Sequence, residues 1–464
     1  MSSRFNQSIT WIWLIITNLI FISIIMNAQD TARFIGLGHL PNGDFSRAND
    51  ISANGLVVVG YDKGYAFQWT ETGGLLVLPM YQNSINSVAQ AVSGDGSVIV
   101  GQASLPGTPN KINKAVSWAG GTVSPLSPIS NSIPASEISA QDVCSDGTKI
   151  VGVYKHDFNE SNDPFEAVMW NSNGVKLLGK LPGANHSFAY AISADGNVIV
   201  GYCKYPIFSE AFRSVGGGSL QSLGTGGYFS SVAHGTSYDG EVIVGSISTI
   251  SDGPGTAAMW TSTGGWDLLQ GTTVNSYAFD VSASGDIIVG QMSGIAFIWD
   301  RNNGARDLKF VLENVYDLDL TGWTLDIALG IDSTGTAIVG QGTHNGMTEA
   351  WYAKLPQLKI TKPTKNMKWI AGENDTIKWS GGKKNQTVEL KYSIDSGKTF
   401  NTINSIPNAD TGLYVWDIPT DILSKKCMIR IFDKADTTIA DTSDVFKINE
   451  HSKGYVSPAL VSAV

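Results

Sequence analysis

One short motif recurs seven times between residues 48 and 340, and it constrains the fold more than any other feature of the chain. Each copy starts at an alanine, reaches a glycine seven residues later and a second glycine five residues after that, without insertion or deletion. The leading alanine, middle glycine and closing glycine of the successive copies are Ala48, Gly55 and Gly60; Ala89, Gly96 and Gly101; Ala140, Gly147 and Gly152; Ala189, Gly196 and Gly201; Ala233, Gly240 and Gly245; Ala278, Gly285 and Gly290; and Ala328, Gly335 and Gly340. This regularity indicates one supersecondary unit that packs against copies of itself.

The middle of the motif predicts a β-hairpin. The residue before the middle glycine is, in chain order, Asn54, Asp95, Asp146, Asp195, Asp239, Ser284 or Thr334. Asn-Gly and Asp-Gly pairs favour the positive φ angles of a type I′ turn, so we interpret the repeated aspartates as turn formers rather than as a ring of carboxylates. The residues after the turn are apolar and β-branched, as in Val198-Ile199-Val200, which is typical of a strand covered on both faces.

A third and a fourth strand follow each hairpin. The third is marked by an alanine and a tryptophan three residues apart, as at Ala66 and Trp69, and this pattern degrades after Ala211 and Ala350. A turn with glycine and a further apolar strand come next. Successive closing glycines are 41 to 51 residues apart, and four antiparallel strands at this spacing are the signature of a β-propeller blade.

The two ends of the repeat region complement each other. The seventh unit lacks a fourth strand, because Trp351 runs directly into Lys354-Leu355-Pro356, whereas an unassigned strand at residues 34–41 resembles the fourth strand at 176–182. We therefore predict an all-β chain with a seven-bladed β-propeller at residues 31–356, closed by the N-terminal strand so that no sheet edge is exposed. A linear solenoid or β-helix is the alternative, but its two ends do not meet, so an N-terminal strand could not complete the last unit.

The repeat resembles two known propeller-like families. The Ser-Ala-Asp-Gly turn and the downstream tryptophan look like WD repeats, but the Trp-Asp pair occurs in this region at only two places, Trp266-Asp267 and Trp299-Asp300. The combination of Leu-Gly-x-Leu-Pro-Gly, the Asp-Gly hairpin and Ala-Phe-x-Trp is similar to the bacterial extracellular HAF repeats, over about residues 31–356. This resemblance implies secretion or surface display and transfers no catalytic residue.

Residues 358–449 differ from the repeat region in composition and pattern, and they predict a small β-sandwich. Lysine becomes frequent, and alternating apolar segments such as Val388–Tyr392 and Met428–Phe432 are separated by turn residues at regular distances. The order of these segments resembles bacterial Ig-like or fibronectin type III-like modules. Ser393-Ile394-Asp395-Ser396-Gly397 matches the Asp-box of sialidases, but a single box outside the propeller favours a turn with Asp and Ser caps over a glycosidase.

The sequences of the two chain ends bear on whether the protein is exported. Residues 1–28 combine Arg4, an apolar run from Ile9 to Ile25 and a small-residue cleavage site before Gln29, which is typical of a signal peptide. An uncleaved membrane anchor is the alternative, because the run is almost long enough to span a bilayer. The tail at residues 450–464 is too short for a sorting domain, so either the chain is not anchored there or the sequence is incomplete.

Composition and motif content argue against several function classes. A formal net charge of -10 disfavours binding to nucleic acid. The three cysteines, Cys144, Cys203 and Cys427, form no disulfide or zinc pattern, and the six histidines are scattered. No nucleophile elbow, P-loop or Rossmann motif is present, and Asp317 and Asp319 lack EF-hand spacing. We therefore expect no enzyme activity, no cofactor and no metal.

Loop lengths predict where a ligand binds. The first turn of each unit is invariant, whereas the second varies from six residues to fifteen, and variable loops on a rigid scaffold are where function usually lies. We predict a binding face formed by loops 102–114, 153–166, 202–210 and 246–256. The weak candidates for ligand contact are the aromatic residues Phe45, Tyr81, Phe158, Tyr205 and Tyr228. We expect most of these side chains to serve packing instead. The predicted function is that of a secreted or cell-surface monomer that binds an extracellular protein or glycan. A glycan hydrolase with paired carboxylates and an inert envelope protein are the alternatives.

Overall fold

The computed structural model describes residues 32–106, 112–126, 137–155, 164–251, 253–382, 386–407, 409, 412–434, 437 and 439–450. The predicted signal peptide and residues 451–464 of the tail lie outside these ranges. The chain divides into a compact unit at Arg33–Lys354 and a second unit that begins at Leu355.

Within its described residues, the first unit consists of seven groups of four antiparallel strands, of which the second and third are joined into one eight-stranded sheet by a single parallel pairing of Asn113 with Glu137. Blades 1 and 2 contain β2 (Ser46–Ile51), β3 (Val58–Asp62), β4 (Tyr65–Thr70) and β5 (Gly74–Val77), then β6 (Asn86–Val92), β7 (Val98–Leu105), β8 (Ile112–Ala119) and β9 (Thr122–Pro125). Blades 3 and 4 contain β10 (Glu137–Val143), β11 (Ile150–Lys155), β12 (Phe165–Asn171) and β13 (Gly174–Gly179), then β14 (His186–Ile192), β15 (Val198–Lys204), β16 (Ser209–Val215) and β17 (Gln221–Ser222).

The remaining blades complete the circle. Blades 5 and 6 contain β18 (Ser230–Thr236), β19 (Val242–Ser248), β20 (Thr256–Thr261) and β21 (Gly265–Leu268), then β22 (Ser276–Val281), β23 (Ile287–Met292), β24 (Ile295–Asp300) and β25 (Gly304–Asp307). Blade 7 contains β26 (Trp323–Ile331), β27 (Ala337–His344), β28 (Met347–Lys354) and, as its outer strand, β1 (Arg33–Gly38). Strand β1 pairs antiparallel with β28 from Arg33 opposite Lys354 to Gly38 opposite Ala350. The prediction of a β-propeller closed by the N-terminal strand is therefore confirmed.

One short helix, α1 (Leu308–Asn314), follows blade 6. Asp307 caps it by accepting hydrogen bonds from the Lys309 and Phe310 amides, and Leu308, Val311 and Leu312 are buried. No helix in the described part of the chain has the length and apolar character needed to cross a membrane.

A β-bulge in the first strand of every blade explains the leading alanine and the closing glycine. In blade 4, Ala189 lies opposite Gly201 and Ala191 opposite Val200, so Tyr190 is the extra residue. A Cβ atom on Gly201 would collide with the carbonyl oxygen of Phe188, and the other six closing glycines face the corresponding carbonyl. Any larger side chain at these glycines would push the first two strands apart.

The hairpin turn differs from the predicted type I′ turn. The middle glycines have φ between +70° and +82°, whereas Asp95 and its counterparts are not among the residues with positive φ. In blade 2 the Gly96 amide donates to the Ser93 carbonyl at 2.9 Å, which gives a type I turn followed by a left-handed glycine. The Asp95 carboxylate stabilises this geometry because it accepts hydrogen bonds from the Ser97 amide and the Ser93 hydroxyl, both at 2.9 Å. The prediction that these aspartates form turns is confirmed.

Neighbouring blades are joined by apolar cores and by serine hydroxyls two residues before the leading alanine. One core combines Val151 of blade 3 with Ile199 and Phe212 of blade 4. At the same boundary the Ser187 hydroxyl accepts from the Ala167 amide at 2.9 Å and donates to the Gly179 carbonyl at 2.7 Å. This contact explains why an alanine opens the third-strand motif, since a small residue allows the serine to approach.

The second unit is a small β-sandwich. Its sheets contain the strands β29 (Lys359–Lys362), β31 (Asn374–Ser380) and β34 (Leu413–Asp417) in one, and β30 (Lys368–Ile370), β37 (Phe446–Asn449), β35 (Ser424–Asp433), β32 (Val388–Ser393), β33 (Asn401–Ile406) and β36 (Ala440–Thr442) in the other. Both sheets contribute to one core, in which Trp369 packs edge-to-face against Trp416. The Asp395 carboxylate accepts hydrogen bonds from Thr399 and its neighbours, which lower its pKa far below the usual range, so this Asp-box acts as a turn cap.

Candidate functional site

The first turns of the blades form a closed ring of main-chain hydrogen bonds at one end of the propeller, which we call the turn end. Each turn donates an amide to a carbonyl of the next turn, and the seventh donates back to the first. The seven bonds run from the amides of Asn54, Gly94, Ser145, Asp195, Tyr238, Ala283 and Ser333 to the carbonyls of Gly94, Ser145, Ala194, Tyr238, Ala283, Ser333 and Ala53, at 2.9–3.2 Å. Because every turn has the same length, the ring closes without a gap.

Three aspartates beside the ring connect the first strands of adjacent blades, and we call them the aspartate clamps. Asp142 accepts from the Val143 amide of its own blade and the Ile192 amide of the next, both at 2.7 Å. Asp50 and Asp280 repeat this geometry at the boundaries between blades 1 and 2 and between blades 6 and 7. Each carboxylate therefore satisfies two amides that the bulge leaves without a strand partner.

The position of the clamps in the repeat follows from crowding. The residue two after the leading alanine is, from blade 1 to blade 7, Asp50, Ala91, Asp142, Ala191, Gly235, Asp280 and Gly330. A Cβ atom on Gly330 would lie 3.1 Å from the Asp50 Cα, so a small residue is required next to an aspartate. In a closed ring of seven positions, at most three can be occupied without two being adjacent. The propeller thus carries as many clamps as this rule permits.

Burial changes the acidity of the clamps. It raises the pKa of Asp142 to about 7 and of Asp280 to about 6, and it raises the pKa of Asp50 well above its usual value, although two amide donors oppose each shift. Repulsion between the three carboxylates adds to the effect at Asp50. They line a cavity of about 410 Å³ whose other walls are largely alanine, glycine, serine and aliphatic residues. Both oxygens of each clamp are engaged by main-chain amides, which is the geometry of a structural contact.

The opposite end of the propeller carries the second turns and the links between blades, and we call it the loop end. On its side of the channel, seven aromatic rings follow one another from blade 3 to blade 6, with successive centroids 4.8–6.3 Å apart. In spatial order this aromatic arc consists of Phe165, Phe188, Tyr202, Tyr190, His234, Phe279 and Tyr277. Such pairs stabilise each other beyond the area they bury.

The bulge residues make the two halves of the channel different. In blades 1 to 3 they are Asn49, Gln90 and Gln141, and the Asn49 amide donates to the Ala89 carbonyl at 2.8 Å and approaches the Gln90 side chain at 3.4 Å. In blades 4 to 6 they are the arc residues Tyr190, His234 and Phe279, and in blade 7 the bulge residue is Leu329. One half is therefore lined by amides and the other by aromatic rings.

Two cavities that share four residues open beside the arc. One of about 420 Å³ lies against the arc, and the other, of about 240 Å³, extends into the loop of blade 5. We call them together the aromatic pocket; Ser209, Val232, Ser246 and Tyr277 line both parts. A volume of this size, with mixed apolar and polar walls, is typical of a small-molecule site.

Burial shifts the pKa values of His234, Tyr190 and Tyr202 towards their uncharged forms. Burial lowers the pKa of His234 to about 4, so its imidazole is neutral. Burial also raises the pKa of Tyr190 and, more strongly, of Tyr202, whose hydroxyl is hydrogen-bonded to Tyr190. The other lining residues are serine, valine, isoleucine, glycine, tyrosine, phenylalanine and glutamine. The pocket is therefore built for an uncharged group.

The predicted loops divide into two groups. Residues 202–210 and 246–256 contribute Tyr202, Ser209, Ser246 and Gly255 to the aromatic pocket, and the Ser251 hydroxyl bonds to the Ile207 carbonyl at 2.7 Å. Parts of the other two loops, residues 107–111 and 156–163, lie outside the described residues, and Phe158 is among them. The binding role of all four loops stays a prediction.

The four described aromatic candidates make packing contacts. Tyr205 stacks on Phe208 at 4.3 Å, and Phe45 lies 5.7 Å from Tyr61. Tyr81 and Tyr228 pack against interblade cores. The clamps were not among the candidates, and of the arc residues only Phe165 and Tyr202 lie in the predicted loops. Comparison of the repeats at the first and second positions after the leading alanine is the signal that identifies Tyr190, His234, Phe279 and the clamps.

Comparison with known proteins adds little to this description. No family model and no curated protein matches the chain. The chain is distantly similar to TolB from Acinetobacter baumannii, with 14% identity, 47% of this chain covered and a TM-score of 0.34, and it spans about half of that protein, 52%. It is also distantly similar to the β-propeller domain of the Trilobed protease from Pyrococcus furiosus, with 11% identity, 68% and 94% of the two chains covered and a TM-score of 0.44. The strand pairing of the chain itself defines the fold.

Proposed function

We propose that the chain is a non-catalytic binding protein that holds its ligand at the loop end of the propeller, over blades 4 to 6. The observation that carries this proposal is the uneven distribution of exposed apolar side chains. Among the described propeller residues, the loop end exposes Tyr65, Ile85, Ile207, Phe229, Ile250, Val274, Ile295, Phe310 and Met347, whereas the turn end exposes Leu56, Val215 and Tyr238.

The aromatic pocket lies on the same side as this apolar surface. Phe208 and Phe229 meet edge-to-face at 6.4 Å, beside the exposed Ile207 and Ile250. Large apolar groups exposed together around a cavity are typical of a binding site rather than of a solvated surface. The geometry of the clamps supports the absence of catalysis, because their oxygens already accept main-chain hydrogen bonds.

Matched double variants test where the ligand binds. The loop-end variant I207S/I250S removes side chains that are 61% and 58% exposed, and the turn-end variant L56S/Y238S removes side chains that are 64% and 53% exposed. The full chain and both variants are screened against a glycan array and a displayed peptide library. We expect I207S/I250S to lose ligands that L56S/Y238S retains. The proposal is contradicted if only the turn-end variant loses binding or if the unchanged chain retains nothing, as an inert envelope protein would.

The hydrolase alternative is tested in the same samples. Glycans incubated with the chain are analysed for new reducing ends. The comparison variant is D142N, which replaces the clamp that most resembles a catalytic acid. We expect no release of reducing ends. Release that D142N abolishes would contradict the non-catalytic part of the proposal.

Export is the second part of the proposal. The apolar run and the small-residue site before Gln29 support a secreted or surface-displayed chain whose mature form begins at that glutamine. The intact mass of the protein recovered outside producing cells tests this, and we expect the mass of residues 29–464. An intact N-terminus in the membrane fraction would instead support the membrane anchor.

A further inference from the structure

The aromatic pocket excludes charged ligands. Its described lining residues include no Asp, Glu, Lys or Arg, and His234 is neutral as described above. A charged group placed there would lose its hydration without gaining a counter-charge, which is costly. The ligand of this pocket is therefore uncharged.

Two serine hydroxyls that line the pocket have no hydrogen-bond partner within the described residues. The Ser209 and Ser246 side chains line both parts of the pocket, and the two residues are 9% and 6% exposed. Neither hydroxyl bonds to another residue in the described part of the chain. Both hydroxyls therefore have hydrogen-bonding capacity open to the pocket, and a ligand that covered them without bonding to them would leave them unsatisfied.

Aromatic rings line the same cavity as these hydroxyls. The Tyr190 and His234 rings are stacked 5.7 Å apart at 10°, and Phe279 lies 5.4 Å from His234. The negative face of an aromatic ring attracts the C–H groups on the apolar face of a sugar, while the rim of the sugar offers hydroxyls to serine and glutamine. Ring faces beside unpartnered hydroxyls therefore match a pyranose better than an aliphatic chain, which would leave the serines unsatisfied.

The two-part shape of the pocket indicates a ligand longer than one sugar ring. The larger part faces the arc, and the smaller part continues past Tyr277 towards Gly253 and Gly255. We propose that the aromatic pocket binds a neutral oligosaccharide, with the arc stacking on one ring and Ser209 and Ser246 bonding to hydroxyls. This inference rests on the proposed binding function and names its ligand class.

Calorimetric titration of the full chain with cello-, xylo- and chito-oligosaccharides tests the inference, and oligogalacturonate serves as the acidic comparison. We expect at least one neutral oligosaccharide to bind, with an affinity that does not change when salt is raised, because no ion pair forms. F279L should weaken binding roughly three- to tenfold, and S246A about fivefold. Y238L, which removes a 53% exposed ring from the turn end, is the matched control and should leave binding unchanged.

The outcomes separate this inference from the proposed function. Preference for oligogalacturonate, or neutral binding that F279L and S246A leave unchanged, overturns the saccharide assignment. Binding of peptides but of no saccharide, lost in I207S/I250S, also overturns it while the proposed loop-end function stands. Absence of any ligand from both libraries, or binding lost only in L56S/Y238S, overturns both.

Discussion

The two ends of the propeller channel are built from the same repeat but have different chemistry. At the turn end, seven turns of equal length donate main-chain hydrogen bonds around a closed ring, and three clamps join adjacent blades. At the loop end, the aromatic arc and two serine hydroxyls surround a neutral pocket. At the turn end the polar groups form hydrogen bonds with one another, whereas at the loop end some hydrogen-bonding groups stay available to a ligand.

This difference shows that acidic residues in a channel are not evidence of catalysis by themselves. Asp142 has a raised pKa and lies in a cavity, which are features of many active sites. Its two oxygens nevertheless serve the Val143 and Ile192 amides. The less conspicuous Ser209 and Ser246 are better candidates for ligand contact because they have hydrogen-bonding capacity to spare.

The largest expected effect comes from removing a clamp. D142A leaves the Val143 and Ile192 amides without an acceptor, and we expect it to lower the free energy of unfolding by about 3 kcal/mol. Urea denaturation measures the loss, and D267A, which removes an exposed aspartate, is the control and should stay within about 0.5 kcal/mol of the unchanged chain. Equal stability of the two variants would mean that the clamps do not hold the turn end together.

The closing glycine gives the next largest effect. G201A places a methyl group against the Phe188 carbonyl, so we expect a loss of about 2 kcal/mol or more in the same assay. In G264A the new methyl group would meet the movable Thr261 hydroxyl at 3.0 Å, and a change within about 0.5 kcal/mol is expected. A tolerated G201A would refute the explanation of the seven invariant glycines.

Stability should depend on pH through the clamps. The pKa of Asp142 is raised to about 7 in the folded chain, and it is near 4 when unfolded, so folding takes up a proton between these pH values. The free energy of unfolding therefore falls as pH rises through this window. We expect the difference in stability between the unchanged chain and D142N to shrink by on the order of 2 kcal/mol from pH 5 to pH 8. A difference that stays constant or widens, with D267N as the reference, would contradict the shift.

The smallest effect on stability is expected at the loop end. S246A removes a hydroxyl that has no partner among the described residues, so the free energy of unfolding should be unchanged or higher by about 0.5 kcal/mol. A loss as large as that of D142A would show that Ser246 belongs to the scaffold, and the contrast between the two ends would fail. The same assay on F310L supplies the baseline for an exposed site.

The sequence predicted the scaffold well because the scaffold repeats. Two glycines and an alanine recur at constant spacing, and the displaced strand at residues 34–41 indicated closure, which β1 confirms. The turn type was predicted wrongly, because Asp-Gly also fits a type I turn in which the aspartate accepts hydrogen bonds from its neighbours. Local sequence alone does not distinguish these two turns.

The site was less predictable because its residues do not repeat. Tyr190, His234 and Phe279 occupy one position of the motif in three blades, where blades 1 to 3 have amide side chains. Packing of three consecutive blades brings these residues together, over more than 80 residues of chain. The clamps were missed for a related reason: each bridges to an amide about 42 to 51 residues away.

A crystal structure of the full chain with the tightest ligand from the combined saccharide and peptide screen tests the central claim most directly. We predict that the ligand lies in the aromatic pocket, against Tyr190, His234 and Phe279, with the Ser209 and Ser246 hydroxyls bonded to it. A ligand bound instead at the turn end, in contact with Asp50, Asp142 or Asp280, would contradict the division of the channel into a structural end and a binding end.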